Sequence, residues 1–219
     1  MRIAFTAHLS ALDAGLVDLC GQVAVVTRQA SIAALTGDLA QAEAALSEVT
    51  EITATARGVA DSTVHLMARQ QPVAHDLRAL LGAQRVAASL RRMAQLAGNI
   101  AKAARRGYPQ PVVPPEVQGV VEDMADLADT MALRVHRTVK TQDAGAAGVL
   151  LGLSRHMHDL YQEMLTIVAS SAWPYSAQTA VQVCMLSRDY ERFAEHAVEI
   201  GWAVGYIATG IPNQHDTWG

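Results

Sequence analysis

The sequence repeats itself at an offset of 100 residues. Residues 90–100 read Leu-Arg-Arg-Met-Ala-Gln-Leu-Ala-Gly-Asn-Ile, and residues 190–200 read Tyr-Glu-Arg-Phe-Ala-Glu-His-Ala-Val-Glu-Ile. Most apolar positions of the first copy are apolar in the second, whereas acidic residues occur in the second copy only. A period of this length indicates two copies of a domain-sized unit and not a solenoid of short repeats.

Prolines mark the ends of long helical segments. Four of the seven prolines lie between Gly107 and Pro115, and the other three are isolated. Proline interrupts helices, and the segments between the prolines are rich in strong helix formers such as Ala, Leu, Met, Gln, Arg and Glu. The last segment carries an apolar stripe with steps of three and four residues, made of Val183, Leu186, Tyr190, Phe193, Ala197, Ile200, Val204 and Ile207. This stripe predicts an all-α fold in which long helices pack against antiparallel neighbours.

The repeat and the helix boundaries together predict two tandem three-helix bundles with six long helices. We place the first bundle at 1–108, a Pro-rich linker at 109–115, the second bundle at 116–210 and a tail at 211–219. Within this layout the helices are expected to begin or end at capping and breaking residues, namely Asp38 after Gly37, Asp76 after Pro72, Asp143, the segment 170–174, and Gly210 before Pro212.

Composition excludes several classes of protein. The formal net charge of −4 gives no bulk attraction to nucleic acid or to an acidic membrane surface. The two cysteines, Cys20 and Cys184, suit a reducing compartment. His8 and Asp13 interrupt any apolar signal segment at the N-terminus, and the longest uncharged run, 164–187, is too polar and broken for a membrane span. We therefore expect a soluble, cytoplasmic protein.

Three glutamates follow one another at four-residue spacing near the end of the second copy. On a helix, Glu191, Glu195 and Glu199 would line one face, and the apolar stripe predicts that Glu191 and Glu195 point away from the core. Like charges at this spacing repel by roughly 0.2–0.5 kcal/mol per pair. A hard metal cation would offset that repulsion. Ion pairs with Arg188 and Arg192 would do the same, and the spacing alone leaves both readings open.

No catalytic motif is present in the sequence, and we expect a protein that is not an enzyme. Gly-rich phosphate loops, nucleophile elbows and the Glu-x-x-His pairs of di-iron bundles are all missing. The residues leave open a metal-binding helical protein. They also leave open a phosphotransfer bundle, in which His136, close to Arg134 and Arg137, would accept a phosphate. The basic pair Arg91–Arg92 would suit an acidic partner surface.

Two segments carry a resemblance to a known family. Residues 71–78, Gln-Pro-Val-Ala-His-Asp-Leu-Arg, followed by Leu-Arg-Arg-Met at 90–93, resemble the first half of the PhoU family. The second half of that family has a motif of the form Leu-Glu-Arg-Ile-Gly-Asp-His-Ala, which here reads Tyr-Glu-Arg-Phe-Ala-Glu-His-Ala over 190–197. The resemblance covers residues 1–210, and Tyr-Pro at 108–109 is similar to the actinobacterial branch called PhoY.

The resemblance implies regulation of phosphate uptake. PhoU-like proteins are cytoplasmic negative regulators of the phosphate-starvation response and act as adaptors between a phosphate ABC transporter and a sensor histidine kinase. The resemblance therefore implies that this chain binds the transporter ATPase and the kinase, forms a homodimer, and reaches the membrane only through these partners. It binds no nucleic acid in this interpretation. The residues expected to contact partners are Asp76, Arg78, Arg91, Arg92, Arg192 and His196.

Several members of the family also bind metal ions through a Glu/Asp-x-x-x-Asp motif, which this sequence retains in one copy only. The first copy has Arg91 and Gln95 at the two acidic positions, so we predict that its site is lost. In the second copy Glu191 remains, Glu195 replaces the aspartate, and Asp159 on the preceding helix matches a further acidic position. The resemblance implies a weak divalent-cation, iron or zinc site on these three carboxylates, although no cofactor is required for function.

Overall fold

The computed structural model describes residues 2–70 and 72–211, and in this part of the chain it contains six α-helices and no β-strand. The helices are α1 (Arg2–Thr36), α2 (Leu39–Gln70), α3 (His75–Gly107), α4 (Gln118–Thr141), α5 (Ala146–Ala169) and α6 (Ala177–Thr209). A short 3-10 helix, Pro115–Val117, leads into α4. The prediction of an all-α fold made of two three-helix bundles is confirmed. The tail after Ile211, including Pro212, lies outside the described residues.

Helix boundaries follow the capping residues at most of the expected places. Gly37 adopts a left-handed φ of 72° after α1, and a carboxylate oxygen of Asp38 accepts a hydrogen bond from the Gln41 amide at 3.1 Å. This is the N-cap arrangement that the sequence predicts. Gly210 ends α6 in the same left-handed conformation, with φ 72°. Asp76 lies in the first turn of α3, as expected from the helix dipole.

Two boundaries differ from the prediction. Asp143 does not cap α5 directly, because its side chain accepts a hydrogen bond from the Gly145 amide at 3.0 Å and closes the turn before the helix. Ser176 caps α6 by accepting a hydrogen bond from the Thr179 amide at 3.2 Å. Ser176 lies after the segment 170–174, in which the sequence placed the break, so the break extends further than the isolated proline indicates.

The two bundles lie side by side and share one hydrophobic core. Helix α3 packs against α1, α2 and α6, and α4 packs against α1, α5 and α6. The segment between α3 and α4 is not a free linker, because Val113 and Val117 are buried in the same core. The bundles therefore form one packed unit, stabilised by burial of apolar side chains from all six helices.

Helices α3 and α6 are antiparallel neighbours, and two hydrogen bonds join them. The two bonds occupy equivalent positions of the internal repeat. The Ser89 hydroxyl donates to Glu199 Oε2 at 2.8 Å, and the Asn99 amide donates to Asp189 Oδ1 at 3.3 Å. Moving by 100 residues converts Ser89 to Asp189 and Glu199 to Asn99. The repeat is thus visible in three dimensions as an approximate two-fold relation between α3 and α6.

Helix α1 is long and apolar enough, over Thr6–Thr36, to cross a membrane by length and composition alone. Core helices pass the same test, and this one contacts α2, α3 and α4. Its inward side chains, among them Leu16, Leu19 and Val26, are buried. Asp13, Asp18 and Arg28 interrupt the uncharged sequence of α1, although the helix is continuous through them. A third of its most apolar stretch is buried in the shared core, while Val25 and Ile32 are exposed.

Candidate functional site

Glu191 is buried between α5 and α6, with only 5% of its surface exposed. The sequence predicted that Glu191 and Glu195 point away from the core, and for Glu191 this prediction is wrong. The apolar stripe of α6 is wider than a strict heptad seam, because α6 packs against α3, α4 and α5 together. Glu195, one turn further along, does lie on the exposed face.

Each carboxylate oxygen of Glu191 has a protein partner. His158 on α5 places its Nδ1 2.6 Å from Oε1. The Arg188 guanidinium, one turn earlier on α6, donates a short hydrogen bond to Oε2. Arg188 also reaches Glu195 Oε1 at 3.5 Å, and it lies 5.8 Å above the Tyr161 ring. The hydrogen bond to Glu191 raises the pKa of Arg188, so the guanidinium is a permanent positive charge between the two glutamates.

The three carboxylates predicted to bind metal do line one cleft. It has a volume of about 390 Å³ and is formed by Ser154, Arg155, His158, Asp159, Glu191 and Glu195. The residues do not fit a divalent cation as they stand, because both Glu191 oxygens are taken and Arg188 occupies the space between the glutamates. Within the described residues, no group of three or more His, Cys, Asp or Glu side chains is arranged to hold a metal ion.

The corresponding positions of the first copy are cationic or neutral. Arg91 is half-buried on α3, and the Gln95 side-chain oxygen accepts a hydrogen bond from Arg92 Nη1 at 3.2 Å. The loss of a metal site in this copy stays a prediction, supported by the exchange of two oxygen ligands for an arginine and an amide. The shift from acidic to basic residues extends over the whole of α3. Helix α3 carries seven basic residues and one acidic residue, whereas α6 carries two basic and four acidic residues.

The six residues predicted to contact partners do not form one surface. Arg92, Arg192 and His196 lie together in a cleft between α3 and α6, which we call the α3–α6 cleft. Asp76 and Arg78 lie at the start of α3, where the Arg78 guanidinium packs closely against Gly210 at the end of α6. The α3–α6 cleft has a volume of about 350 Å³ and is lined by Val49, Arg92, Gln95, Leu96, Asn99, Lys102, Asp189, Arg192 and His196.

Two carboxylates of α6 at the α3–α6 interface have opposite electrostatic surroundings. The hydrogen bond from His196 Nδ1, at 2.8 Å, lowers the pKa of Glu199, with a further contribution from Ser89. Burial raises the pKa of Asp189, although the Asn99 hydrogen bond and the charge of Arg192 oppose the increase. Asn99, Lys102 and Asp189 were not singled out from the sequence. The repeat itself contained a signal for Asn99 and Asp189, since each matches a polar partner in the other copy.

The histidine considered for phosphotransfer lies elsewhere. His136 is half-buried on α4, and its neighbour Arg134 approaches Asp143 at 3.7 Å. His158 is a site residue that sequence spacing does not predict, because its partner Glu191 lies on another helix. The predicted site residues that do come together form two separate clusters. One is the carboxylate cluster on α5 and α6, and the other is the basic cleft on α3 and α6.

Comparison with known proteins identifies the family. The PhoU domain model matches residues 16–104 and again 121–204, which are the two copies of the repeat. The "Phosphate-specific transport system accessory protein PhoU homolog 2" of Mycobacterium tuberculosis is 36% identical over 210 residues, covering 96% of this chain and 99% of that protein. The corresponding homolog 1 of Mycobacterium leprae is 34% identical and covers 99% and 98%.

Solved structures have the same fold. The crystal structure of PhoU from Pseudomonas aeruginosa superimposes with a TM-score of 0.83 at 21% identity, covering 94% of this chain and 100% of that chain. The phosphate transport system regulatory protein PhoU from Streptococcus pneumoniae gives a TM-score of 0.84 at 19% identity, covering 96% and 99%. Together with the two matches to the domain model and the full-length relatives, this shows that the chain belongs to the PhoU family.

Proposed function

We propose that this protein is a negative regulator of phosphate uptake and of the phosphate-starvation two-component response. It acts as a cytoplasmic adaptor between a phosphate ABC transporter and a sensor histidine kinase. The observation that carries the proposal is the full-length similarity to mycobacterial proteins named as accessory proteins of the phosphate-specific transport system. Because both chains are covered almost completely, the proposal concerns the whole protein and not one shared segment.

The charge difference between the two copies supports an adaptor with two partners. Helix α3 carries seven basic residues and one acidic residue, a balance that favours an acidic partner, whereas α6 carries two basic and four acidic residues. A regulator of this kind needs shaped surfaces and no catalytic group. It reaches the membrane through the transporter and the kinase, and we expect it to be a homodimer.

The direct test is to purify the tagged protein from its own cells grown in high and in low phosphate, and to identify co-purifying proteins by mass spectrometry. The proposal predicts recovery of a transporter ATPase or a sensor kinase in amounts that change with phosphate. Recovery of neither under both conditions would remove the chain from phosphate signalling. Deletion of the gene should switch on the starvation response even in high phosphate. If the response stays repressed in the deletion strain, the protein is not a negative regulator.

The basic face of α3 is tested with a charge-reversal variant. Replacing Arg91 and Arg92 by glutamate should reduce partner recovery if this face is the contact. A matched control reverses two exposed arginines outside α3, Arg57 on α2 and Arg137 on α4, and should leave recovery unchanged. Equal recovery with R91E/R92E and wild type would retire this face as an interface.

A further inference from the structure

The α3–α6 cleft gathers positive charge from both copies of the repeat. Arg92 and Lys102 come from α3, and Arg192 comes from α6. Within residues 2–70 and 72–211, none of these three cations lies within 4 Å of a carboxylate oxygen, and the one hydrogen bond of Arg92 is to the neutral Gln95. Three cations and one carboxylate, Asp189, therefore line this cleft, and the charge of Arg192 acts on Asp189. The excess of positive charge in a concave site creates a potential that attracts an anion.

The donor types in this cleft suit a tetrahedral oxyanion. Two guanidinium groups offer planar pairs of N–H donors, which match two oxygens of a phosphate group. Lys102 adds a point charge, and the volume of about 350 Å³ is large enough for the anion and several waters, each of which takes about 30 Å³ in the liquid. The cleft continues through Asn99 and Lys102 into a second, larger one of about 750 Å³ that also contains Arg106.

Asp189 is the one carboxylate in the lining of the α3–α6 cleft. Its Oδ1 accepts the Asn99 hydrogen bond, while its Oδ2 has no hydrogen bond to a described residue. An ionised carboxylate in a cationic cleft repels an anion unless the anion has an O–H group that donates a hydrogen bond to the carboxylate. Hydrogen phosphate carries such a proton at neutral pH and sulfate does not. Asp189 therefore favours phosphate over other oxyanions of equal charge.

We propose that the α3–α6 cleft binds a phosphate group, held by Arg92, Lys102 and Arg192 and selected by a hydrogen bond to Asp189. The ligand is inorganic phosphate or the terminal phosphate of a larger molecule. This binding requires neither transporter nor kinase, so it goes beyond the adaptor function and is tested separately from it.

The test is isothermal titration of the purified full-length protein at low ionic strength and pH 7.5, with sodium phosphate and with sodium sulfate. We expect phosphate to bind more tightly than sulfate. Arg192→Gln should weaken phosphate binding about tenfold, as expected for loss of one charge-assisted contact. Arg57→Gln, an exposed arginine outside the cleft, is the matched control and should bind as wild type does. Equal affinity for phosphate and sulfate, or equal losses in R192Q and R57Q, would overturn the proposal.

Asp189→Asn tests the selection. The variant should lose the preference for phosphate over sulfate while still binding an oxyanion, and circular dichroism confirms that it is folded. Unchanged preference in D189N would refute the assigned role of Asp189. If ATP competes with phosphate for the same site, the phosphate group belongs to a larger ligand, which supports the proposal. Binding of a glutamate-rich peptide without any competition from phosphate would instead assign the cleft to a protein partner.

The two proposals fail in different ways. Arg91 does not line the α3–α6 cleft, so Arg91→Glu alone disturbs the proposed partner face and leaves phosphate titration as in wild type. Loss of partner recovery in R91E with normal phosphate binding would support both proposals. Normal partner recovery in wild type with no phosphate binding would refute the cleft proposal alone.

Discussion

Helices α3 and α6 are two versions of one helix, alike on the side that faces the core and opposite in charge elsewhere. Met93 and Phe193 are both fully buried, as are Ala94 and Ala194 and the other matched apolar pairs. The remaining positions have changed to seven basic and one acidic residue in α3, against two basic and four acidic in α6. The comparison teaches that the two copies share their buried apolar positions and differ in their charged positions, one of which, Glu191, is itself buried.

The largest expected effect is on the buried positions, and it should be similar in the two copies. Phe193→Ala should lower the free energy of unfolding by about 3–5 kcal/mol, and Met93→Ala by about 2–5 kcal/mol, because each removes a fully buried side chain from the shared core. Urea unfolding followed by circular dichroism measures both. An effect below about 1 kcal/mol in one copy only would show that the two bundles do not share one core.

Substitutions at the matching charged positions, Glu191 and Arg91, should have smaller and unequal effects on the free energy of unfolding. Glu191→Ala should cost about 1–2 kcal/mol, because it leaves Arg188 and His158 without their partner next to a buried site. Arg91→Ala, at the matching position, should change stability by less than about 0.5 kcal/mol. The same urea titrations compare the pair. Equal losses in E191A and R91A would mean that the internal ion pairs of α6 do not stabilise the fold.

The smallest effects are expected in the pH dependence of the two related hydrogen bonds. The pKa of Glu199 is lowered from its ordinary value of 4.5, so its stabilising contribution is present above that value and is lost as the pH falls through the folded-state pKa. The pKa of Asp189 is raised from 3.8, so its ionisation destabilises the fold as the pH rises above that value. The two carboxylates thus affect stability in opposite directions at neutral pH.

Neutral variants test these signs by thermal unfolding at pH 4 and pH 7. Glu199→Gln should lower Tm at pH 7 and lower it less at pH 4, since the lost contribution is already smaller in acid. Asp189→Asn should raise Tm at pH 7 and raise it less at pH 4. A change of Tm with the same sign in the two variants at pH 7 would contradict the opposite surroundings of the two carboxylates.

Much of the fold could be predicted from the sequence because periodicity and helix breakers are local signals. The stripe from Val183 to Ile207 and the glycines at 37 and 210 were sufficient for α6 and for two helix ends. The burial of Glu191 could not be predicted, because it depends on how three helices surround α6. Ser176 was not predicted as the cap of α6 because Pro174 is a stronger local signal for the end of a helix.

The candidate sites were harder to predict, since their members lie on different helices. Asp159, Glu191 and Glu195 line one cleft, and the ion pair of Arg188 with Glu191 is one of the two interpretations that the spacing left open. Nothing in the sequence pairs His158 with Glu191. Arg92, Arg192 and His196 were chosen as parts of a motif, and only the antiparallel crossing of α3 and α6 brings them into one cleft. Sequence spacing describes one helix at a time, whereas both sites depend on a pair of helices.

The most direct test of the divergence between the copies is a calorimetric titration of wild type and of Arg188→Met with Mn²⁺ and Zn²⁺. In this account the Arg188 guanidinium, and not a metal ion, offsets the repulsion between Glu191 and Glu195. Wild type should then bind less than about one equivalent of metal, because Arg188 already contacts the carboxylate oxygens that would be the ligands. The Arg188→Met variant should gain a site that Glu191→Gln then removes. One tightly bound equivalent in wild type, lost in Asp159→Asn or Glu195→Gln, would show that the second copy is a metal site and contradict the account.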